Sequence, residues 1–436
     1  MKKNAFIMST YVYILLVFFL LLLGTMLVVL NNTRLLANKI KENTDGNIDF
    51  NLVLKGDKEI FIVKDSEYIE PGCIATTFDG EKLEVRVMGE ANAKKSGEYD
   101  IEYSAEYKGV EKKVKRKVIV GENLVTYITN LYEDSITRAS NNLKKDNTED
   151  KNIRYYGANP NNYVRFNNEL WRIIGIFGNN VKLIRNDRLG WLSWDTSEST
   201  VNSGYGINQW GESKDTSGNI YEGADLQVYL NKMYYGGIEV TCYNDLNNTK
   251  TTCPKDSNGN FLELDDVAKK LIDNHTWNIG AMRYISRTNT LTFYQAERGS
   301  VHGKSSCSSG NQCNDTIIRT TEWTGYVGLP YVTDWAYASS EGICETNMAT
   351  QDSSNNYICK NNNWMQKSIL AWYLLPVTTS SGACYAWYVN KTGDPAGNYT
   401  YGLGGVIPAV YLKSDVFVTG GLGTSDNPYK LWLSEN

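Results

Sequence analysis

Residues 163 to 177, YVRFNNELWRIIGIF, decide how the larger part of this chain is read. Two runs rich in Val, Phe, Trp and Ile flank an Asn-Asn pair, and Asn tolerates the left-handed backbone that a two-residue hairpin turn demands. The spacing predicts two antiparallel strands joined at Asn167-Asn168. Between Trp171 and Phe177 apolar residues stand at both odd and even positions, interrupted by Arg172 and Gly175, so both faces of the second strand are expected to be covered. Near the other end of the chain, GVIPAVYLKSDVFVTGGLGTSDNPYKLW (405–432) is equally strand-like. First and last strands are expected to pair, with long loops projecting between them.

At 436 residues the chain exceeds what one core usually organises, so several domains are expected. A formal net charge of −5 gives no basic surface, and no nucleic-acid partner is expected. The 30 Tyr and 11 Trp, set against 8 Pro and 2 His, describe an aromatic globule with few imidazoles for acid–base or metal chemistry.

Tyr11 to Leu30, YVYILLVFFLLLLGTMLVVL, is long and apolar enough to cross a bilayer as one helix. It is read as a retained signal anchor, with residues 1–10 as a cytoplasmic tail and the membrane as a partner. The flanking Lys2 and Lys3 against Arg34, Lys39 and Lys41 nearly tie the positive-inside count. The cysteines orient the chain instead. Cys242 and Cys253, Cys307 and Cys313, and Cys344 and Cys359 form sequence-local pairs in Asn-, Ser- and Gly-rich segments, as loop-stapling disulfides on an oxidising side would. The expected localisation is the cell membrane, single-pass, with the carboxy-terminal part outside. Cys73 and Cys384 stay open between a mutual bridge and two buried thiols. The start, KKNAFIMSTY, also resembles a type IV prepilin leader, which implies an alternative: a minor pilin-like subunit with an adhesive head. Thr10 stands where pilins usually carry Glu.

Residues 31–58 read as a stalk. From Glu59 to Gly121 the pattern turns to period two, with Ile60 and Ile62, Leu83, Val85 and Val87, Tyr99, Ile101, Tyr103 and Ala105, then Val114, Val118 and Val120. Short strands split by PGC, DG, KSGE and KG predict a small all-β sandwich over 59–121. Pro71, Gly72 and Ala75, then Gly97, Tyr99 and Tyr103, then Val118 and Val120 carry a resemblance to the immunoglobulin-like (Ig-like) modules of Gram-positive surface proteins. That resemblance implies a spacer. The basic run Glu111 to Lys117 is compatible with a cell-wall polymer, although Lys on the wet face of an edge strand accounts for it as well. Residues 122–152 read as an amphipathic helix, with Leu124, Tyr127, Ile128, Leu131 and Ile136 on one stripe, and then a polar linker.

Residues 153–436 form the head, with helices expected at Ala224–Met233 and Asp265–Asp273. The opening hairpin together with WTGYVGLPYVTDWAYAS, WYLLP, AWYVN and GVIPAVYLKS resembles an uncharacterised extracellular family of gut Firmicutes. That family is similar to the C-type-lectin-like group that includes formylglycine-generating enzymes. The implied fold is an α+β C-type-lectin-like domain, so the whole chain is expected to be a transmembrane helix, an all-β Ig-like sandwich and that domain. Leu375 and Ile407 stand where the family often has Arg, which puts any Arg-dependent contact in doubt.

No G-x-S-x-G, P-loop, dinucleotide fingerprint or H-E-x-x-H is present. His275 and His302 stand apart. A formylglycine-generating-type enzyme remains an alternative that rests on Cys384 alone, and the expectation is a non-enzyme without cofactor or metal. KDTSGNIYE from Lys214 and KDSNGNFLE from Lys255 offer calcium-type oxygens, but their Gly is misplaced for an EF-hand, and a hairpin turn explains them. What remains is aromatic surface. Trp387, Tyr399 and Tyr401, among Asn390, Asp394 and Asn398, are the candidate contacts for an unknown glycan or protein ligand.

Overall fold

The computed structural model of the chain describes residues 19, 22–30, 33, 49–196, 207–215, 217–244, 249–283, 287–299, 317–318, 320–346, 348–349, 359–378, 385–393 and 395–433. They fall into two compact units, Met1–Ile119 and Val120–Asn436. Residues 22–30 are helical, and their apolar side chains, Leu22, Met26 and Val29 among them, are exposed. Much of the expected anchor, 11–18 with Leu20 and Leu21, lies outside the described residues. Among the described residues no helix is long and apolar enough to cross a membrane.

The first unit is a sandwich of short strands. β1 (Phe50–Leu54), β3 (Cys73–Thr77) and β4 (Lys82–Leu83) make one antiparallel sheet. β2 (Glu59–Val63), β5 (Arg86–Met88), β6 (Gly97–Tyr107) and β7 (Val110–Asn123) make the other. Alternation puts Ile101, Tyr103 and Ala105 of β6 inside, where Ala105 meets Phe50 and Ala75 of the opposite sheet and Ile101 and Tyr103 pack with Val118. β1 corrects the stalk reading of 31–58. FNLVL buries Phe50 and pairs through Leu54 with Cys73, so the sandwich begins at residue 50. Five residues with Val on the outer face were too short a run for the alternation to stand out.

Glu70, in the turn before β3, ties this unit together. Its carboxylate accepts from the Tyr103 hydroxyl at 2.5 Å and the Gly72 amide at 3.1 Å, and also takes the Tyr68 hydroxyl and the Arg116 guanidinium. Arg116 is buried, and its Nε donates to the Asp57 carbonyl at 2.9 Å. The Glu-Pro-Gly turn and the second Tyr of the G-x-Y-x-x-x-Y strand therefore meet at one carboxylate.

In the second unit the helix predicted after residue 122 is two helices, α1 (Leu124–Glu133) and α2 (Ser135–Ser140). Asp134 separates them by capping α2, its carboxylate accepting from the Ile136 and Thr137 amides. Leu124 and Ile128 are buried as the stripe requires, but the break swings Ile136 out to 78% exposure. The expected linker is corrected as well. Within 140–152, β8 (Leu143–Lys145) pairs with β9 (Ile153–Tyr155), and Asp146, Thr148 and Asn152 are buried. Polar composition pointed to a linker because each buried polar group here finds its partner inside the protein.

β10 (Tyr163–Phe166) and β11 (Glu169–Phe177) form the expected hairpin, with Asn167 and Asn168 at φ 54° and 56°. β12 (Asn180–Arg185) continues the sheet, which runs from Val327–Gly328 through Ala409–Tyr411, β12, β11, β10 and Tyr429–Leu433 to Val416–Gly420. The opening hairpin and the closing strand do pair, in parallel, Val164 opposite Tyr429. β11 is buried along nearly its whole length. At its bulge stands Gly175, where a Cβ would lie 2.3 Å from the Ile153 carbonyl oxygen, so only glycine lets β9 come this close.

A second sheet is ordered Trp191–Ser193, Leu403–Gly405, Ala371–Thr378, Tyr385–Val389 and Pro395–Tyr399. Seven Trp side chains of this unit are fully buried, so the aromatic excess is spent mostly on core. The helix expected at Ala224–Met233 is Asp225–Val228 running into a π-turn at Tyr229–Tyr235, and the one at Asp265–Asp273 is Asp266–Leu271. Two expected disulfides are formed, Cys242–Cys253 and Cys344–Cys359, both in buried positions. Cys307 and Cys313 lie outside the described residues, as does Cys384. Cys73 is a half-buried free thiol, which burial pushes up.

Candidate functional site

Tyr385 opens one strand and Tyr399 closes the next, and the register sets them directly opposite each other. Their rings approach to 4.4 Å between centroids. A turn follows, closed by the Gly402 amide on the Tyr399 carbonyl at 2.9 Å, and it brings Tyr401 over Tyr399 with centroids 4.8 Å apart and planes 18° from parallel. The result is a row of three phenol rings, with Tyr401 stacked on Tyr399 and Tyr385 tilted 35° against it. Tyr399 is 39% exposed, and Tyr385 and Tyr401 are half-buried.

The turn under the row is braced. Trp194 donates its amide to the Thr400 carbonyl at 2.8 Å, and Ser193 Oγ donates to the Tyr401 carbonyl at 2.8 Å. Rings held this way present a flat face at little further conformational cost, as suits stacking on a sugar ring or on an aromatic protein side chain. Of the three sequence candidates, Tyr399 and Tyr401 therefore come together at the surface.

Trp387 does not join them, and its assignment as a ligand contact is corrected. It is fully buried, edge-on to Phe293 at 4.9 Å, within a core that also holds Trp335, Trp364 and Ile407. By alternation Trp387 shares a face with Tyr385, but the helix Thr290–Glu297 covers that face where Trp387 stands. Tyr385 was missed. Its signal was available, because a turn at Asn390–Gly393 places Tyr385 opposite Tyr399.

The KDSNGNFLE stretch is a turn. Asp256 accepts from the Asn258 and Asn260 amides at 2.8 Å each, and Lys255 bridges to Phe261. Beside it a surface groove of about 480 Å³ is lined by Met233, Glu239, Asn260, Phe261, Leu262 and Glu263. Among the described residues no group of three His, Cys, Asp or Glu side chains is placed to hold a metal ion. His275 stacks on Tyr411 at 3.7 Å and meets Asp273 Oδ2 at 3.0 Å, and burial holds its imidazole below the usual range. It reads as a packed core histidine. His302 lies outside the described residues.

One constellation resembles acid–base machinery and was not foreseen. Arg154 lies between Asp146 (2.6 Å) and Asp334 (2.9 Å), and Lys182 reaches Asp334 at 2.6 Å. Burial would raise the Asp334 carboxyl, but the Lys182 ammonium and the Arg154 guanidinium outweigh it and hold the group below the usual carboxylate range. Nearby, Glu297 is fully buried with Thr333 Oγ1 donating to both its oxygens, at 2.7 and 3.0 Å, and burial pushes its carboxyl up to about 7. Perturbed carboxyls mark active sites when they face a cleft. Here Asp334 is 1% exposed and both its oxygens are taken, so the cluster is a core network. The only sequence trace is a cation inside apolar strands, Arg154 in IRY and Lys182 in VKLI.

Residues 52–120 match the family model described as "Bacterial surface protein, Ig-like domain". No curated protein matches the chain. Among solved structures, a lipoprotein of Bacteroides thetaiotaomicron is similar at 29% identity over 17% of this chain and 39% of that one, with a TM-score of 0.16. The CBM51-2 and INT domains of Clostridium perfringens ZmpB are similar at 11% identity over 39% of this chain and 25% of that one, with a TM-score of 0.14. The chain thus spans well under half of either structure, and at these TM-scores neither likeness bears on the fold of the second unit.

Proposed function

We propose that this chain is a membrane-anchored cell-surface binding or adhesion protein, in which an Ig-like spacer carries a C-type-lectin-like head away from the membrane. The Ig-like match supports the surface location, and the aromatic row Tyr385–Tyr399–Tyr401 carries the binding reading. Partly exposed aromatic rings lose hydration at little entropic cost, and truncating such an anchor typically costs a complex about 2 kcal/mol or more. The ligand is a glycan or a protein surface, and the head binds it without turnover or cofactor.

The test is a glycan and host-protein array probed with the full chain in detergent, with and without EDTA. Binding that survives EDTA and is lost in Tyr399→Ala and Tyr401→Ala supports the proposal. Wild-type binding by both variants places the contact elsewhere, loss with EDTA makes the contact calcium-dependent, and turnover of an array ligand overturns the non-catalytic reading.

A further inference from the structure

The groove beside the KDSNGNFLE turn has two walls, Met233 to Glu239 at the end of the π-turn and Gly259 to Glu263 at the end of the hairpin turn. The walls are pinned to each other at both ends. At one end the Leu264 amide donates to the Tyr234 carbonyl at 2.7 Å, and at the other the Cys242–Cys253 disulfide joins the stretches that continue them. Glycines keep the space between them open. A Cβ at Gly259 would meet no atom within 4 Å, and one at Gly237 would reach Glu263 Oε2 at 3.5 Å.

Met233, Phe261 and Leu262 give the groove its apolar surface, and Glu239 and Glu263 give it charge. Both carboxylates are exposed, one on each wall, and among the described residues neither takes part in an ion pair. Two carboxylates that border one groove repel each other, and a cation placed between them removes that cost. Lys255 does not supply it. Its ammonium lies over the Phe261 ring at 4.5 Å and pairs with neither carboxylate, so the ring already attracts a cation while the two acids wait for one.

We infer that this groove is a seat for an arginine side chain presented by a protein partner. The aliphatic stem of arginine matches Met233, Phe261 and Leu262, and its planar guanidinium has donors enough for a carboxylate on each wall. An amino sugar fits less well. Its ring hydroxyls would need partners of their own, and apart from the two carboxylates Asn260 is the one polar side chain among the lining residues. The volume of about 480 Å³ leaves room for the partner's flanking backbone, and walls pinned at both ends lose little freedom when it arrives. The seat is separate from the tyrosine row and stands whether or not that row binds anything.

Surface plasmon resonance on the full chain in detergent at constant ionic strength tests it. The analytes are an acetylated and amidated Gly-Ala-Arg-Ala-Gly peptide, the same peptide with citrulline or lysine in place of arginine, and glucosamine. Saturable binding of the arginine peptide with a Kd of about 1 mM or below is expected, with lysine weaker and citrulline silent. Glu239→Gln and Glu263→Gln should each weaken it roughly threefold to fivefold, and the pair of changes about tenfold or more. Glu322→Gln, an exposed carboxylate outside the groove, should leave it unchanged. All four positions changed here are exposed or control positions, so the fold is retained and the affinities decide. No saturation up to tens of millimolar, an equal response to the citrulline peptide, tighter binding of glucosamine, or an equal loss in Glu322→Gln overturns the inference.

Discussion

The two units hold buried charge in different ways. In the sandwich one carboxylate, Glu70, gathers Arg116, Tyr68 and Tyr103 at the edge of a small apolar core, and its side chain is still 25% exposed. In the larger unit Asp146, Arg154, Lys182 and Asp334 are interlocked with almost no exposure, beneath a core of fully buried Trp side chains. The difference teaches where stability resides. A two-sheet sandwich is specified by alternation and needs charge only as a clasp. A unit of many short strands and helices joined by loops leans on long-range polar pairing and staples to select one packing.

The largest effect is expected from Asp334→Ala, which leaves Arg154 and Lys182 buried without their shared partner. Denaturant unfolding should show a loss of about 3 to 5 kcal/mol in the second unit. A loss under about 1 kcal/mol would show that the network is incidental. Replacing Cys344 and Cys359 by Ser releases a staple of sequence separation 15 and should cost about 3 kcal/mol in the same measurement.

Next in size is a pH effect. The folded-state pKa of Glu297, about 7, lies above its ordinary 4.5, so between those values the folded protein binds more protons than the unfolded chain and stability falls as pH rises. The drop should be on the order of 2 kcal/mol between pH 5 and pH 8, and Glu297→Gln should flatten it. Asp146 and Asp334 titrate below the usual carboxylate range, so their contribution is present above it and is lost only in acid, outside this window.

In the sandwich, Glu70→Gln should cost roughly 1.5 kcal/mol, read as lost amide-exchange protection in β6. A cost matching that of Asp334→Ala would erase the contrast between the units. Smallest of all, Tyr399→Ala should move stability by less than about 0.5 kcal/mol, because the ring is exposed. An unfolding curve shifted well beyond that would make the tyrosine row a packing element and not a binding face.

The hairpin at 163–177 was legible because its signals are local: Asn-Asn supplies two left-handed residues, and apolar residues at both odd and even positions of β11 announce burial on both faces. Cysteines 11 and 15 residues apart could be paired by inspection for the same reason. The linker reading failed at Asp146 and Asn152, whose partners include each other and Arg154. The aromatic candidates divided because alternation assigns Trp387 to a face without saying where the covering helix begins and ends.

The period-two sandwich, its Pro-Gly turn, the hairpin and the near-neighbour staples can be read from sequence, since each depends on residues close together along the chain. That Trp387 is core while Tyr385, Tyr399 and Tyr401 meet at the surface, and that Asp334 serves two cations while Arg172 has no carboxylate partner among the described residues, is settled by tertiary packing. Exposure and charge balance are sums over neighbours drawn from distant parts of the chain, and no local pattern encodes which of those neighbours arrive.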